Sequence, residues 1–249
     1  HEPNPRFLPL AFIADALRDL GASSVGLVAP YLAYMRQDAR FMAGEAITSV
    51  SFARLVSRQF DWLVTVDPHL HRWHALSDIY TIPALALQAA PMLAAWIRAN
   101  VDKPVIIGPD AESQQWVSGV AAAAGCGHVV LNKQRRGDRD VSVSGLSGQG
   151  WGGRTPVLVD DIISSGQTMA QTVALCRAAG SAPAVCVGVH GIFAPEALAA
   201  LQQAGAARIV TTNAIAHPSN AIDLSPLLAD AVMGFWQEQA RPRSEEHTS

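Results

Sequence analysis

Seven short, largely apolar runs punctuate the chain: Val25–Ala29, Trp62–Val66, Val105–Ile107, His128–Leu131, Val157–Val159, Ala184–Val189 and Arg208–Thr211. A strand with one wet face alternates apolar and polar residues, whereas one apolar at nearly every position must be covered on both faces. Helices must therefore lie on either side. The intervening stretches supply them at Thr48–Phe60, Ala90–Ala99, Glu112–Ala124, Gln167–Ala179 and Pro195–Ala204, with further helices at Phe7–Leu20 and Pro226–Trp236. In Phe7–Leu20 the residues Leu10, Ile13, Ala14, Leu17 and Leu20 share one helical face, the face such a helix turns to a core, and Gly21 stops it. Strands alternating with helices predict an α/β fold, with mainly parallel sheets flanked by helices and joined by right-handed crossovers. A boundary between residues 82 and 83 gives two such units, 1–82 and 83–240.

Composition narrows the classes. Hydrophobic residues are 49% of the chain and charged residues 16%, the balance of a core-forming protein. A net charge of −3 argues against a nucleic-acid-binding surface, which would be basic. Three cysteines, Cys126, Cys176 and Cys186, are widely spaced and form no CxxC pair. Neither a disulfide scaffold nor a zinc knuckle is expected, and a reducing cytoplasm is the default. The apolar stretch Ile79–Ile97 contains Pro83 and Pro91 and is rich in alanine, so it reads as a buried connection into a helix rather than a membrane span. No apolar block follows Glu2, Asn4 and Arg6, so no signal peptide is read. The first residue is His1, from which the natural beginning is expected to be missing, and residues 243–249 (RSEEHTS) are set aside as a non-native tail.

Open α/β sheets bind ligands at the carboxyl ends of their strands. The conspicuous polar residues fall there: Tyr31–Arg40, Asp67–His74, Asp110, Lys133–Arg136, Asp160–Thr168 and His190. The fifth segment is the most informative. An apolar strand ends in the paired carboxylates Asp160 and Asp161; Ile162 and Ile163 follow, then Ser164, Ser165, Gly166, Gln167 and Thr168, then a helix. Small hydroxyl residues and a glycine at a helix start expose several backbone N–H groups, and the helix dipole adds positive potential, so a phosphate is the natural ligand. The two aspartates suit the vicinal hydroxyls of a ribose, directly or through a divalent metal.

VLVDDIISSGQT resembles the phosphoribosyl-pyrophosphate (PRPP) loop of type I phosphoribosyltransferases and PRPP synthetases, with Ser165 in place of a threonine and Gln167 in place of a glycine. The variant D-D-I-I-S is similar to that of archaeal-type synthetases. Other segments resemble the synthetases in particular. YLAYMRQDAR at Tyr31–Arg40 is similar to their Y-x-x-Y-x-R-Q-D, which implies ATP contacts for Arg36 and Gln37. VDPH at Val66–His69 resembles V-D-L-H and implies a magnesium–ATP role for His69; GPD at Gly108–Asp110 resembles S-P-D and makes Asp110 a second metal candidate. NKQRR at Asn132–Arg136 resembles the K-R-R opening a catalytic flexible loop, with Lys133 and Arg135 at its functional positions, and His190-Gly191 resembles T-H-G.

The resemblance runs in one order from about Phe7 to Trp236. It implies a ribose-phosphate diphosphokinase with two phosphoribosyltransferase-type domains, using Mg²⁺, ATP and ribose 5-phosphate and working as a homo-oligomer, without nucleic acid or membrane. Ribose 5-phosphate would be held by Asp160, Asp161, Ser164, Ser165, Gly166, Gln167 and Thr168. A phosphoribosyltransferase consuming PRPP would share the loop but not the R-Q-D and VDPH segments. A non-catalytic regulatory relative is a third reading. His69-Leu70-His71 also has the spacing of a zinc pair, but alternate strand residues point to opposite faces, so that reading needs both histidines in a bend.

Overall fold

The computed structural model describes residues 2–109, 114–136, 140–144 and 153–240. In chain order they form α1 (Pro3–Asp19), β1 (Gly26–Val28), α2 (Thr48–Gln59), β2 (Trp62–Val66) and β3 (Ala84–Leu87). There follow α3 (Ala90–Asn100), β4 (Pro104–Gly108), α4 (Gln114–Ala124), β5 (Gly127–Val130), β6 (Asn132–Arg136) and β7 (Asp140–Ser144). The last elements are β8 (Thr155–Ile163), α5 (Gln167–Ala178), β9 (Val185–Gly191), α6 (Ala197–Ala204), β10 (Arg208–Thr212), β11 (Asn220–Ile222) and α7 (Ser225–Ala240). The chain divides into two compact units, one made of residues 1–87 and 224–249, the other of residues 88–223. This differs from the expected division at 82/83 in two ways. The first unit keeps β3, which is hydrogen-bonded to β2, and it reclaims α7, where Phe235 stacks on Trp62 with ring centroids 5.0 Å apart. The proposed tail, residues 243–249, lies outside the described residues.

The first unit carries a parallel sheet of order β1-β2-β3. Its central strand is the most apolar, and Leu63, Val64 and Val66 are fully buried. Gly26 on β1 has no room for a side chain, because an added Cβ would lie 2.0 Å from the Trp62 ring. α2 packs Ser49, Ala53 and Val56 inward, a spacing of four and three that sets one helical face against the core.

α1 departs from expectation. Of the five residues assigned to its core face only Ala14 is buried; Leu10, Ile13, Leu17 and Leu20 are 40%, 55%, 42% and 85% exposed. The helix is held by another face. Phe7 meets Phe52 edge-on, Gln59 Nε2 donates to the Ala11 carbonyl, and Arg18 donates to the Gln59 carbonyl and pairs with Asp61 at 3.1 Å. Phe7, Ala11, Ala14 and Arg18 form a stripe roughly a third of a turn away from the leucine stripe. Polar ties to α2 thus fix the rotation of α1 against its own apolar pattern.

The second unit is built on a six-stranded sheet of order β11-β10-β9-β8-β4-β5, with every neighbouring pair parallel. β8 lies at the point where the order reverses, between β4 and β9. Val157, Leu158 and Val159 are completely buried there, and α5 covers the sheet with Met169, Thr172, Val173 and Cys176. Each such aliphatic side chain contributes about 1.5–3 kcal/mol relative to exposure, so the strand–helix unit that carries the glycine loop is firmly anchored. The polar excursion after β5 holds an antiparallel pair, β6 with β7, in which Lys133 faces Val143 and Arg135 faces Val141. Among the described residues no helix is long and apolar enough to cross a membrane.

Candidate functional site

The glycine loop grows out of β8, which is longer than its apolar part. The ladder to β9 continues through Asp160 opposite Gly188, Ile162 opposite His190 and Ile163 opposite Gly191. The paired carboxylates therefore stand inside a strand, and their backbone is fixed by the sheet. Asp160 and Asp161 are half-buried, and the Asp161 N–H donates to Asp160 Oδ1 at 3.0 Å. Gly188 opposite them is required by packing, since an added Cβ would lie 2.7 Å from Ile163 Cδ1 and Cγ1.

Past Ile163 the chain turns into α5. Gly166 is the N-cap, with φ +68°, a left-handed conformation that side chains disfavour. It is also buried against α6, where Ala197 O and Leu201 Cγ would meet an added Cβ at 3.5 and 3.4 Å. No side chain caps α5. The first N–H groups of a helix have no partner within it and can serve an external acceptor. Ser165 and Gln167 are exposed, Ser164 and Thr168 half-buried. Gln167 is the first helical residue and points outward, so its replacement of a glycine fills no packed space.

The loop is braced from the segment that follows β9. Ile192 N–H donates to the Ile163 carbonyl at 3.1 Å and Ala194 N–H to the Ser164 carbonyl at 3.0 Å. Two acceptors at the start of the loop are thereby occupied, which orients the following peptide units.

In the first unit, Tyr31–Arg40 and Asp67–His74 come together. Asp38 is buried and accepts a 2.7 Å hydrogen bond from Arg72, whose guanidinium also lies 5.6 Å from the Phe41 ring centre. Glu45 organises the same turn: its Oε2 accepts the N–H groups of Phe41 (2.9 Å) and Met42 (3.0 Å) and lies 3.4 Å from Gln37 Nε2. Arg36 is exposed and Gln37 half-buried. The Gln37 carbonyl accepts the Ser49 N–H at 3.2 Å, pinning the segment to the start of α2. Asp67 closes β2 with φ +37°, its N–H donating to Leu87 O at 2.8 Å, and the chain bends there.

Beyond that bend the His69 and His71 rings meet edge to face, with centroids 3.9 Å apart. The geometric objection to a histidine pair thus falls, because neither residue lies in a strand. A zinc centre still needs further ligands, and among the described residues no group of three His, Cys, Asp or Glu could hold a metal. Asp110 lies outside the described residues, and of Lys133 and Arg135 only the backbone in β6 is described. Sequence reasoning missed Arg72, Glu45 and Gly188. Their roles depend on partners 34, 8 and 28 residues away (Asp38, Gln37 and Asp160), which no local pattern reveals.

Comparison with known proteins brings the two units together. A phosphoribosyl transferase domain model matches residues 75–226, and the N-terminal domain of ribose phosphate pyrophosphokinase matches residues 1–59. The ribose-phosphate pyrophosphokinase of Methanothermobacter thermautotrophicus is 32% identical over 228 residues, which cover 90% of this chain and 78% of that protein. That of Methanopyrus kandleri is 33% identical over 222 residues, 88% of this chain and 74% of the other. Among solved structures, phosphoribosylpyrophosphate synthetase from Mycobacterium smegmatis superposes with a TM-score of 0.77 at 24% identity, covering 92% of this chain and 76% of that one, a likeness of fold.

Proposed function

The chain belongs to the ribose-phosphate pyrophosphokinase family, and we propose that it transfers the β,γ-diphosphoryl group of ATP to the 1-hydroxyl of ribose 5-phosphate, giving PRPP and AMP. The observation that carries this reading is the uncapped, left-handed start of α5 directly after the paired carboxylates at the end of β8.

The 5-phosphate sits on the N–H groups opening α5, with the hydroxyls of Ser164, Ser165 and Thr168 donating further bonds. Asp160 and Asp161 accept hydrogen bonds from the 2- and 3-hydroxyls, which orients the anomeric hydroxyl. Arg36 and Gln37 hold the nucleotide on a turn kept rigid by Asp38, Arg72 and Glu45. The 1-hydroxyl oxygen attacks the β-phosphorus and gives up its proton to solvent; the bond from that phosphorus to the α,β-bridging oxygen breaks, and AMP leaves. No side chain forms a covalent bond in this scheme, so rate enhancement comes from alignment and charge neutralisation. Lys133 and Arg135 supply positive charge to the transferring phosphates.

The family resemblance implies Mg²⁺, an ion that favours oxygen donors. This ion keeps several waters and takes one or two protein ligands together with substrate phosphates, so a protein cage of three or more ligands is not required. His69 is the candidate that would hold it with the nucleotide, Asp110 remains a candidate from the resemblance alone, and the ion's contribution when bound would be to offset the charge that builds on the phosphate oxygens.

The test is incubation of the protein with Mg²⁺, ATP and ribose 5-phosphate. AMP released only when the sugar is present supports the reading; its absence, in a chain that binds both substrates, favours the non-catalytic alternative. Pyrophosphate released from PRPP by an added base would instead assign a phosphoribosyltransferase. Light scattering of the same sample tests the homo-oligomer.

A further inference from the structure

The turn between β10 and β11 is closed by an unusually complete polar network. Ser219 N–H donates to His217 Nδ1 at 3.1 Å, and Ser219 Oγ lies 2.7 Å from the same nitrogen. Ser219 Oγ is 2.8 Å from Thr211 Oγ1, which accepts from Asn220 Nδ2 at 2.9 Å. Asn220 Nδ2 also donates to the Thr212 carbonyl at 2.6 Å, while its Oδ1 accepts the His217 N–H at 2.9 Å. Backbone groups at both ends fix the sense of the Asn220 amide, since an N–H can only donate and a carbonyl only accept. Asn220 thus donates to Thr211, and the Thr211, Ser219 and His217 side chains continue the chain of short polar contacts. Because a backbone N–H points at Nδ1, that nitrogen must offer a lone pair, and the ring proton resides on Nε2.

The fixed imidazole meets Phe193, with ring centroids 4.6 Å apart. The Phe193 ring is pinned on a second side by Gly191, where an added Cβ would lie 2.7 Å from Phe193 Cε2. Phe193 is the middle residue of the segment whose flanking N–H groups, of Ile192 and Ala194, occupy the Ile163 and Ser164 carbonyls. A continuous path of contacts therefore runs from Asn220 to the start of the phosphate loop.

We propose that His217, held as the neutral Nε2–H tautomer by Ser219, is a positioning residue that orients the Ser164–Thr168 N–H groups through Phe193. The inference rests on the sugar-phosphate reading of that loop for its purpose, but the coupling itself is measurable without ligand. Hydrogen exchange of the unliganded chain is the first measurement. His217→Ala speeds exchange of the backbone from Ile163 to Ala170 about tenfold, one hydrogen bond's worth of local opening, while β4 and β5 keep their protection.

Nitrogen-15 NMR of the wild-type chain at neutral pH shows His217 Nδ1 unprotonated and Nε2 protonated. His217→Asn places an acceptor oxygen where Nδ1 stood and restores part of the protection; Ser219→Ala leaves the N–H to Nδ1 bond and has a smaller effect than His217→Ala. Titration with ribose 5-phosphate shows an affinity loss of about tenfold for His217→Ala, parallel to the exchange. Unchanged exchange at Ile163–Ala170 in a folded His217→Ala chain, or an Nδ1–H tautomer, overturns the proposal. A wild-type chain that binds no ribose 5-phosphate overturns the functional reading instead, and the exchange data still decide the coupling.

Discussion

Gly166 and Gly180 bracket α5, both with left-handed backbones, φ +68° and +77°. Replacing either with alanine imposes a similar conformational cost, about 1–2 kcal/mol. Sterically both changes are tolerable: the new Cβ at 166 meets Leu201 and Ala197 at ordinary contact distance, and at 180 nothing lies within 4 Å. Urea unfolding should therefore show comparable destabilisation for the two variants. Binding should separate them. At the phosphate end, relaxation toward negative φ turns the N–H groups of Gln167 and Thr168 away from their common focus. Losing one hydrogen bond to a charged oxygen costs about 1.5–3 kcal/mol, or roughly 10- to 150-fold in affinity. Calorimetric titration with ribose 5-phosphate should show that loss for Gly166→Ala and wild-type affinity for Gly180→Ala. Equal affinities in the two variants would refute the claim that the loop's backbone geometry holds the phosphate.

Four further outcomes are expected. Gly188→Ala drives a Cβ to within 2.7 Å of Ile163, so it should cost about 1–3 kcal/mol in chemical denaturation and weaken ribose 5-phosphate binding as well. Asp38→Ala releases the exposed Arg72 from the R-Q-D turn and should raise the KM for ATP about fivefold, leaving the dissociation constant for ribose 5-phosphate unchanged. Lys133→Ala should lower turnover by roughly 100-fold or more with ribose 5-phosphate binding nearly intact; near-normal turnover would remove Lys133 from the mechanism. Burial pushes the Cys176 thiol up to about 11 and, with the nearby Cys176 adding to it, the Cys186 thiol up to about 12. Both are raised in the folded state, so their contribution is complete below pH 9, where unfolded thiols begin to ionise, and is lost between pH 9 and 12. Unfolding free energy measured across that window should fall by a few kcal/mol, and substituting both cysteines with alanine should flatten the slope.

The apolar strand runs were legible because burial on both faces leaves no polar residue for solvent, so composition alone marks β2, β4, β8 and β9. The carboxyl end of β8 was underestimated: Asp160 and Asp161 look like the close of a strand, yet the ladder to Gly188 and His190 carries pairing on to Ile163. The sequence of α1 suggested the wrong inner face, because its leucines outnumber the contacts that orient it, and Gln59 and Arg18 decide the rotation through hydrogen bonds spanning more than forty residues. The hairpin β6–β7 was hidden in largely polar stretches, and its two strands pair with each other in a register that no apolar run announces. For the loop between β8 and α5, the small residues marked a helix start in the sequence, and the left-handed Gly166 N-cap lies there. The loop's braces, Phe193 and Gly188, gave no local signal, since their meaning lies in distant partners.

The first unit is written in two pieces, and that division sets an order of events during synthesis. A ribosome delivers α1 through β3, then the whole of residues 88–223, and only afterwards α7. Until Phe235 emerges, the outer face of Trp62 has no ring to stack on. The second unit, contiguous in sequence and with its own six-stranded sheet, can reach its fold while the first is still waiting. A released chain truncated after Asp223 should therefore protect the loop between β8 and α5 from protease better than it protects β2, because only the second unit is then complete.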